Sequence, residues 1–377
     1  MCMKRNMKEN TFSVFFALVR AGLWEEESRL SSFDNIDLSE IYRLAEEQSI
    51  IGLVAAGLEH VVNVKLSQEF ALQFVGQALQ LEQRNIAMNR FVATLVEKMR
   101  DAGIYTLLVK GQGVAQCYER PLWRACGDVD FFLSEDNYKK AKEFVLPMAE
   151  TIEPEWKTSM HLGMTIDGWV VELHGSLRGS LSPKINYVLD NIKRETFYEG
   201  RVRSWNNNGS HIFLLDANND IIYVFTHFLN HFYKGGIGLR QICDWSRLLW
   251  TYRESLNHGL LESRIRTMGL MTEWRAFGAF AVEYLGMPSD AMPLYSADTK
   301  WKRKAQKICS FVLEVGNFGH NRDMGYYNSK PYLVRKTISL GRRCSDLFRH
   351  ASIFPLDSLR FFPNILFNGL RSTARGE

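Results

Sequence analysis

The fold is decided by two neighbouring stretches of sequence, LLVKGQG at residues 107–113 and RACGDVDFFL at residues 124–133. The first is a short β-type run that ends in a glycine-rich turn. The second places two aspartates among Val, Phe and Leu, although Asp is disfavoured inside strands. Side chains alternate along a strand, so Asp128 and Asp130 should lie on one face, about 7 Å apart. Because like charges at this separation repel each other, the pair predicts a bound divalent cation.

The turn after the first run predicts an anion site beside these aspartates. Lys110, Gly111 and Gly113 precede a short predicted helix at residues 114–118, and backbone N–H groups at a helix N-terminus bind anions. Glycine is favoured there because a side chain would keep a phosphate away from the backbone. The aspartate pair alone would fit two exposed side chains on an edge strand. Together with the turn, it predicts a nucleotide site with Mg²⁺ or Mn²⁺.

A third carboxylate is predicted on a later strand, VVELH at residues 170–174. Glu172 and His174 share one face of that strand, opposite to its apolar residues. Glu172 would complete a site for one or two magnesium ions. Other phosphate-binding motifs are missing from the sequence. Gln116 stands where the dinucleotide fingerprint needs its third glycine, and the P-loop and protein-kinase signatures do not occur.

The pattern of the whole chain predicts an α+β fold, in which a mixed α/β core lies between helical regions. Apolar residues recur at helical spacing on both sides of a segment of short β-type runs and hairpins. The predicted strands are residues 105–109, 129–133, 160–166, 169–174, 201–205 and 211–215, and one predicted helix spans residues 38–59. The predicted parts are a helical N-terminal region (1–102), a mixed α/β core (103–215), a helical domain (216–320) and a basic tail (321–377).

The C-terminal part is basic, whereas the rest of the chain is slightly acidic. Residues 301–377 contain 14 Lys and Arg against 5 Asp and Glu, a net charge of +9, although the whole chain carries only +4. Pro331, Pro355 and Pro363 are expected to break the tail into short amphipathic pieces. The basic segments at residues 301–304 and 335–343 fit either a nucleic-acid or other anionic partner, or an ordinary solvated surface.

Composition predicts a soluble, cytoplasmic protein. Hydrophobic residues make up 46% of the chain and charged residues 23%, which is enough apolar material for a packed core. The six cysteines are scattered without metal-binding or disulfide spacing, which fits reduced thiols. Arg20 and three glutamates at residues 25–27 follow the apolar run near the N-terminus, so no secretory signal is expected. No transmembrane segment is predicted, because no apolar stretch approaches about 18 residues.

Together these motifs resemble the DNA polymerase beta-like nucleotidyltransferase superfamily. Its pattern is a strand with a glycine-rich turn and helix, then Asp-x-Asp, then a third acid on a later strand. More narrowly, Lys-Gly, Arg-x-x-x-Asp-x-Asp, Glu-Leu-His and the later GLRQICD at residues 238–244 resemble an uncharacterised bacterial family of nucleotidyltransferases with a helical N-terminal region. The resemblance covers residues 65–250, and residues 110–133 are its most specific part.

The resemblance implies a role for each matching residue. Asp128, Asp130 and Glu172 would bind the metal ions, and Glu172 would also help to deprotonate an acceptor hydroxyl. Gly111 and Gly113 would hold the β- and γ-phosphates of an NTP. The reaction would be in-line attack of an unidentified hydroxyl or phosphate acceptor on the α-phosphate, with release of pyrophosphate.

Four further residues complete the nucleotide site that the resemblance implies. Lys110 and Arg124 would neutralise phosphate charge. Arg240 and Asp244 are one helical turn apart, and they would either contact the nucleotide or form a structural ion pair. The chain departs from the superfamily pattern in two places. Gln112 separates the two turn glycines, and the third acid is Glu where related chains often carry Asp.

Several histidines and the function itself leave alternatives open. His227 and His231, four residues apart on a predicted helix, would serve packing, line an acceptor pocket or bind a metal. His161 and His174 lie on predicted strands, where core or supporting roles are favoured over catalysis. The alternative functions are a non-catalytic nucleotide- or partner-binding protein on the same fold, and a helical nucleic-acid adaptor.

Overall fold

A seven-stranded mixed sheet lies at the centre of the computed structural model, which describes residues 2–30, 36–64, 67–157, 159–317 and 332–374. The strands are β1 Leu107–Val109, β2 Asp128–Phe132, β3 Thr151–Ile152, β4 His161–Ile166, β5 Trp169–His174, β6 Val202–Asn207 and β7 Ser210–Leu215. Their order across the sheet is β3-β4-β5-β2-β1-β7-β6. The α+β prediction is confirmed, and β3 is a short edge strand that the sequence pattern did not predict.

Strand β2 runs antiparallel to β1 and parallel to β5. This register places Asp130 opposite Val109 on β1 and opposite Glu172 on β5. Strands β4 and β5 form a hairpin whose turn residues, Asp167 and Gly168, have φ angles of 50° and 74°, as a tight two-residue turn requires. The hairpin therefore carries the third acid to the strand that holds both aspartates.

Helices surround the sheet, and several of them begin at side-chain caps. Ser67, Ser134 and Asp216 each accept a hydrogen bond from a backbone N–H in the first turn of the helix that follows. The helices are α1 Cys2–Trp24, α2 Leu38–Glu47, α3 Ile51–Glu59, α4 Gln68–Asp101, α5 Gly111–Ala115, α6 Glu135–Val145, α7 Pro183–Tyr198, α8 Ala217–Lys234, α9 Leu239–Tyr252, α10 His258–Met268, α11 Met271–Glu283, α12 Thr299–Val315, α13 Tyr332–Ile353 and α14 Pro355–Ala374.

The helix predicted over residues 38–59 is in fact two helices, α2 and α3. Ser49 between them has a φ of 56°, which interrupts the helical backbone. The buried Gln48 side chain stabilises this break. Its amide nitrogen donates to Val312 O at 3.1 Å, and its oxygen accepts from Leu239 N at 2.9 Å. The break therefore joins the N-terminal helices to α9 and α12.

The prediction that Pro363 breaks the C-terminal part is wrong. Pro363 lies inside α14, where proline costs a backbone hydrogen bond, but Phe361 and Ile365 on either side of it are buried in the core. Pro355 occupies the first position of the same helix, where proline is favoured. Pro331 lies outside the described residues. The helices α13 and α14 have 22 and 20 residues, so they are longer than the short pieces expected.

One hydrophobic core unites the N-terminal helices with the C-terminal ones. Phe15 on α1, Trp245 on α9 and Phe354 between α13 and α14 all belong to the same buried cluster. A second buried cluster, which includes Phe131, lies between the sheet, α4 and α6. The helical regions on both sides of the sheet segment thus pack against each other. The division of the chain into four parts stays a prediction.

Within the described ranges, every helix is too short or too polar to cross a membrane. Four of the six cysteines, Cys117, Cys126, Cys243 and Cys309, are buried with free thiols. Burial raises the pKa of the Cys117 thiol to about 11. This thiol is therefore protonated and unreactive at neutral pH.

Helix α3 packs so closely against its neighbours that only glycine fits at two of its positions. A Cβ added at Gly57 would lie 2.0 Å from Leu18 O on α1. A Cβ added at Gly52 would lie 2.0 Å from Trp123 O, in the loop that leads to β2. Both contacts are with backbone atoms, so neither can be relieved by a side-chain rotation. The N-terminal helices are therefore fixed against the loop that precedes the two aspartates.

Replacing Gly57 tests this packing. We expect Gly57→Ala to destabilise the protein by about 3 kcal/mol, because the new Cβ forces the α1 backbone to move. Gly76→Ala is the matched control, since a Cβ at Gly76 in α4 meets nothing within 4 Å. Alanine there should stabilise the helix by up to about 1 kcal/mol. Urea unfolding measures both variants, and an unchanged stability of Gly57→Ala would contradict the close approach of α1 and α3.

Candidate active site

Three carboxylates converge where β2 and β5 lie side by side. Asp128, Asp130 and Glu172 each offer one oxygen, and these oxygens lie within 4.8 Å of one another. Strand β2 presents both aspartates on one face because side chains alternate, and its parallel pairing with β5 sets Glu172 beside Asp130. The structure thus brings together the three acids that the sequence singles out.

The electrostatics of Asp128 favour a cation beside it. The neighbouring Asp130 carboxylate raises the pKa of Asp128 above its ordinary value, and burial adds to the rise. Lys110 and Arg240 act in the opposite direction, but they do not cancel it. The ionised Asp128 carboxylate therefore has too little positive charge nearby, and a divalent cation would supply it. Three converging carboxylate oxygens suit Mg²⁺ or Mn²⁺.

Lys110 is a positive charge within this acidic group. Its backbone has a φ of 57°, which residues with a side chain rarely adopt, and its Nζ lies 2.7 Å from Asp130 Oδ1. Burial lowers the pKa of Lys110, but the nearby carboxylates, Asp130 above all, outweigh burial and raise it above its ordinary value. Lys110 is therefore charged at neutral pH and compensates part of the acidic charge.

The short helix predicted at residues 114–118 begins three residues earlier, as α5, so Gly111 and Gly113 lie in its first turn rather than before it. The two glycines have different surroundings. Gly111 has a φ of 41° and lines the cleft beside the acids, and a Cβ there would lie 3.2 Å from Cys126 Sγ. A Cβ at Gly113 would lie 2.8 Å from Leu214 Cδ2 on β7. Gly113 thus allows α5 to pack against the sheet, whereas Gly111 is placed where a ligand could approach the backbone.

Arg124 and Asp244 form a buried ion pair next to the acids. The Arg124 Nε and Nη2 atoms lie 2.8 and 2.7 Å from the two Asp244 oxygens, and Tyr118 Oη donates to Asp244 Oδ1 at 2.8 Å. Burial acts to lower the pKa of Arg124, but Asp244 raises it overall. Arg240, one turn earlier on α9, donates instead to Ala125 O at 2.6 Å. Both arginines therefore fasten the loop before β2 to α9.

A buried amide network that sequence reasoning missed holds the same loop from the other side. Asn85 on α4 donates to Leu122 O at 2.7 Å and to Arg124 O at 2.9 Å. Gln112 Nε2 donates to Asn85 Oδ1 at 2.8 Å, so the residue that separates the turn glycines has a structural partner. The sequence held one sign of this network, since Asn85 lies near the apolar stripe of α4. A polar side chain that is buried there needs hydrogen-bond partners.

A cleft lies against these groups. Its empty space is about 520 Å³, which includes space open to solvent and falls within the range of small-molecule sites. Seven of the nine predicted site residues line it, and Gly113 and Glu172 are the other two. The lining residues are Lys110, Gly111, Val114, Arg124, Asp128, Asp130, Val224, His227, Phe228, Arg240, Gln241 and Asp244.

His227 faces the cleft from α8, with His231 one turn further along the helix. Burial lowers the pKa of His227 well below its ordinary value, and Lys110 lowers it further. Burial likewise lowers the pKa of His231, to about 4. Both rings are therefore neutral at neutral pH, with their centroids 4.7 Å apart. His227 offers an uncharged hydrogen-bonding group to a ligand in the cleft.

His161 and His174 contact Glu172 from the β4–β5 hairpin. Their Nε2 atoms lie 3.1 and 3.2 Å from Glu172 Oε2, and His174 Nε2 also lies 2.8 Å from Asp130 Oδ1. Burial acts to raise the pKa of Glu172, but the two histidines and Lys110 bring it below its ordinary value. Glu172 is therefore ionised at neutral pH, and both histidines are direct neighbours of the acids.

A comparison with protein families agrees with the class of protein that the sequence suggests. The chain belongs to a family described as uncharacterised nucleotidyltransferases, which it matches over residues 34–286. A crystal structure of an antigenic nucleotidyltransferase-like protein from Paracoccidioides brasiliensis matches 48% of this chain and 86% of that chain, at 13% identity and a TM-score of 0.30. Among curated proteins, none is significantly similar to this chain.

Removing Asp244 tests the ion pair that fixes the cleft wall. We expect Asp244→Ala to cost about 3–5 kcal/mol of stability, because it leaves the buried Arg124 guanidinium without its counter-charge. Asp190→Ala is the matched control, since Asp190 makes a similar two-point contact with Arg178. That pair is 40% and 56% exposed, so its loss should cost at most about 1 kcal/mol. If urea unfolding shows equal losses of stability in the two variants, the buried Arg124 guanidinium does not need Asp244 as its counter-charge.

Proposed function

We propose that the protein is a Mg²⁺-dependent nucleotidyltransferase, also active with Mn²⁺. It transfers a nucleoside monophosphate from an NTP to a hydroxyl or phosphate acceptor and releases pyrophosphate. The observation that carries this proposal is the convergence of the Asp128, Asp130 and Glu172 oxygens within 4.8 Å, beside the cleft. Membership of a nucleotidyltransferase family supports the reaction class.

In this proposal Asp128, Asp130 and Glu172 hold the divalent cation. When bound, the cation neutralises phosphate charge and polarises the reacting phosphate. The chain itself supplies Lys110 and Arg240 at the cleft wall, and their positive charges attract the triphosphate. The cleft therefore combines acidic oxygens for a cation with basic groups for phosphates.

The other nucleotide-site residues of the proposal shape the cleft. Gly111 leaves the turn without a side chain, so that phosphates approach the backbone. Gly113 lets α5 pack against the sheet beside that turn. Arg124 lies at the cleft wall, but Asp244 compensates most of its charge. We therefore assign Arg124 and Asp244 to positioning the wall rather than to neutralising phosphates.

Positioning of the reactants and electrostatic stabilisation of the transition state would account for most of the rate enhancement in such a site. In this proposal the acceptor hydroxyl attacks the α-phosphate in line, and Glu172, which adjoins the aspartates but does not line the cleft itself, helps to take its proton. The neutral His227 would hydrogen-bond the nucleotide or the acceptor from the opposite element, α8. A bond forms between the acceptor oxygen and the α-phosphorus while pyrophosphate leaves with the electron pair of the broken bond.

One observation favours a second candidate, a protein that binds a nucleotide or a partner without turnover. Lys110 Nζ lies 2.7 Å from Asp130 Oδ1. A cation bound to the acids would compete with Lys110 for this oxygen. If Lys110 keeps this position, the acids have less need of a metal. The enzyme that we propose must instead release Lys110 from Asp130 when the cation binds.

The location and the further partners are also proposals. We place the reaction in the cytoplasm, which the buried free thiols support. A nucleic-acid or other anionic partner would contact the basic C-terminal part. In α12, however, Trp301 is buried, Lys302 pairs with Glu283 and Lys304 donates to a backbone carbonyl. Most side chains of residues 335–343 lie outside the part of the chain that the structure describes.

Turnover is tested by incubating the protein with each of the four NTPs and Mg²⁺ or Mn²⁺. We expect pyrophosphate release and transfer of radiolabel from one of the α-labelled nucleotides to an acceptor in cell extract. Asp128→Asn and Asp130→Asn should each reduce the rate at least about 100-fold, because each removes a cation ligand. Asp101→Asn, at the exposed end of α4, is the control. Metal-independent nucleotide binding without turnover would favour the non-catalytic candidate.

The same two variants should move stability in opposite directions in the absence of metal. Asp128→Asn should raise the melting temperature, because it removes a carboxylate whose charged form is destabilised by repulsion from Asp130. That repulsion raises the pKa of Asp128. Asp130→Asn should cost about 3 kcal/mol, because Asp130 is 1% exposed and is the partner of Lys110 and His174. Thermal and urea unfolding at neutral pH measure the two effects. A loss of stability in Asp128→Asn would contradict the repulsion described here.

A further inference from the structure

We propose that His161, His174 and Glu172 form a second cation position, which takes a transition-metal ion such as Mn²⁺, Co²⁺ or Zn²⁺. This position lies beside the all-oxygen group of Asp128 and Asp130 and shares Glu172 with it. The proposal concerns metal binding by the chain alone. It can therefore hold or fail independently of nucleotidyl transfer.

The β4–β5 hairpin brings the three ligands together by its register. His161 pairs directly with His174 across the two antiparallel strands, so both side chains lie on the same face of the sheet. Glu172 is two residues before His174 and shares that face. The two imidazole rings are stacked with their centroids 4.7 Å apart. Two strands thus present two ring nitrogens and one carboxylate to a common point.

The two nitrogen–oxygen distances at this position match those between neighbouring ligands of a metal ion. The Nε2 atoms of His161 and His174 lie 3.1 and 3.2 Å from Glu172 Oε2. Metal bonds of about 2.1 Å at right angles place neighbouring ligand atoms about 3.0 Å apart, and tetrahedral bonds place them about 3.4 Å apart. Both observed separations fall between these values. A small adjustment of the rings would let both nitrogens and the oxygen bind one ion.

The chemistry of the ligands selects the kind of ion. Mg²⁺ prefers oxygen ligands and keeps much of its water, so it suits Asp128 and Asp130. Imidazole nitrogens suit Mn²⁺, Co²⁺ and Zn²⁺ better, and two histidines with one carboxylate is a known open ligand set for such ions. The site would therefore offer one position that suits Mg²⁺ and a neighbouring position that favours a transition-metal ion over Mg²⁺.

The site is open to solvent on one side and linked to the acids on the other. The side chains of His161, Glu172 and His174 are 22%, 25% and 12% exposed, so an ion can reach them. His174 Nε2 also lies 2.8 Å from Asp130 Oδ1, which makes the two cation positions adjacent. Adjacent metals about 3.5–4 Å apart are typical of sites that act on phosphates. In the simpler alternative, the histidines only hydrogen-bond Glu172 and bind no metal.

Binding of Mn²⁺ to the full-length protein, without nucleotide, decides between these alternatives. The protein is first freed of metal with a chelator. Mn²⁺ and Mg²⁺ are then titrated separately by calorimetry, and pulsed electron paramagnetic resonance of the bound Mn²⁺ is recorded for coupling to imidazole ¹⁴N. We expect ¹⁴N coupling in the unaltered protein and an affinity for Mn²⁺ at least about tenfold above that for Mg²⁺. Bound Mn²⁺ without ¹⁴N coupling overturns the proposal, and this measurement needs no variant.

Two histidine variants locate the ion. His161→Gln should weaken Mn²⁺ binding about tenfold or more and reduce the ¹⁴N coupling, while Mg²⁺ binding changes little. His211→Gln is the control, because His211 is exposed on the distant strand β7. Mn²⁺ affinity within twofold of the unaltered protein in His161→Gln overturns the proposal. Absence of nucleotidyl transfer by the unaltered protein, together with intact ¹⁴N coupling, would instead count against the proposed function alone.

Discussion

Three carboxylates meet beside one cleft because β2 pairs in parallel with β5, and this convergence is the constraint that the rest of the site serves. Bringing like charges together in a half-buried place costs free energy. Lys110 offsets that cost from the turn after β1, and His174 contacts both Asp130 and Glu172 from β5. Repulsion from Asp130 is not fully compensated at Asp128, whose pKa stays above its ordinary value. A divalent cation would therefore relieve most repulsion if it bound beside Asp128.

The second constraint is that the residues around the three acids are held in place, because a binding or catalytic site needs side chains with fixed positions. The loop before β2 has no regular structure over most of its length, yet it is tied down on three sides. Asn85 binds its carbonyls from α4, Asp244 binds the guanidinium of Arg124 from α9, and α3 approaches Trp123 through Gly52. Elements far apart in the sequence therefore converge on the few residues that precede the aspartates.

The sequence was sufficient for features that depend on neighbouring residues. Alternation along a strand placed Asp128 and Asp130 on one face, and the strands predicted at residues 160–166 and 169–174 form the hairpin that carries Glu172. The interruption at Ser49 and the amide network of Asn85 were not predictable in this way, because both depend on contacts with distant segments. Gln48, for example, bonds to residues 191 and 264 positions later in the chain. No local pattern encodes such partners.

The prediction at Pro363 failed for a related reason. Local propensity disfavours proline within a helix, but burial of the apolar residues on both sides of it outweighs that preference. His161 is a different case, because its place follows from the hairpin. Two residues separate β4 from β5, and a turn of that length fixes the register that pairs His161 with His174. The contact of His161 with Glu172 depends in addition on side-chain conformations, which the sequence does not give. The acids were therefore predictable, whereas most of their neighbours were not.

The ion pair between Lys110 and Asp130 makes the two ligands of the proposed reaction thermodynamically linked. Binding of a cation to the Asp130 oxygen would free the Lys110 ammonium group, which would then be available to a triphosphate. Binding of a triphosphate to the ammonium group would likewise free the oxygen for a cation. Each ligand thus increases the affinity for the other by the same factor, as reciprocity demands. A single lysine held at an unusual backbone angle would give the protein synergistic loading without any movement of a domain.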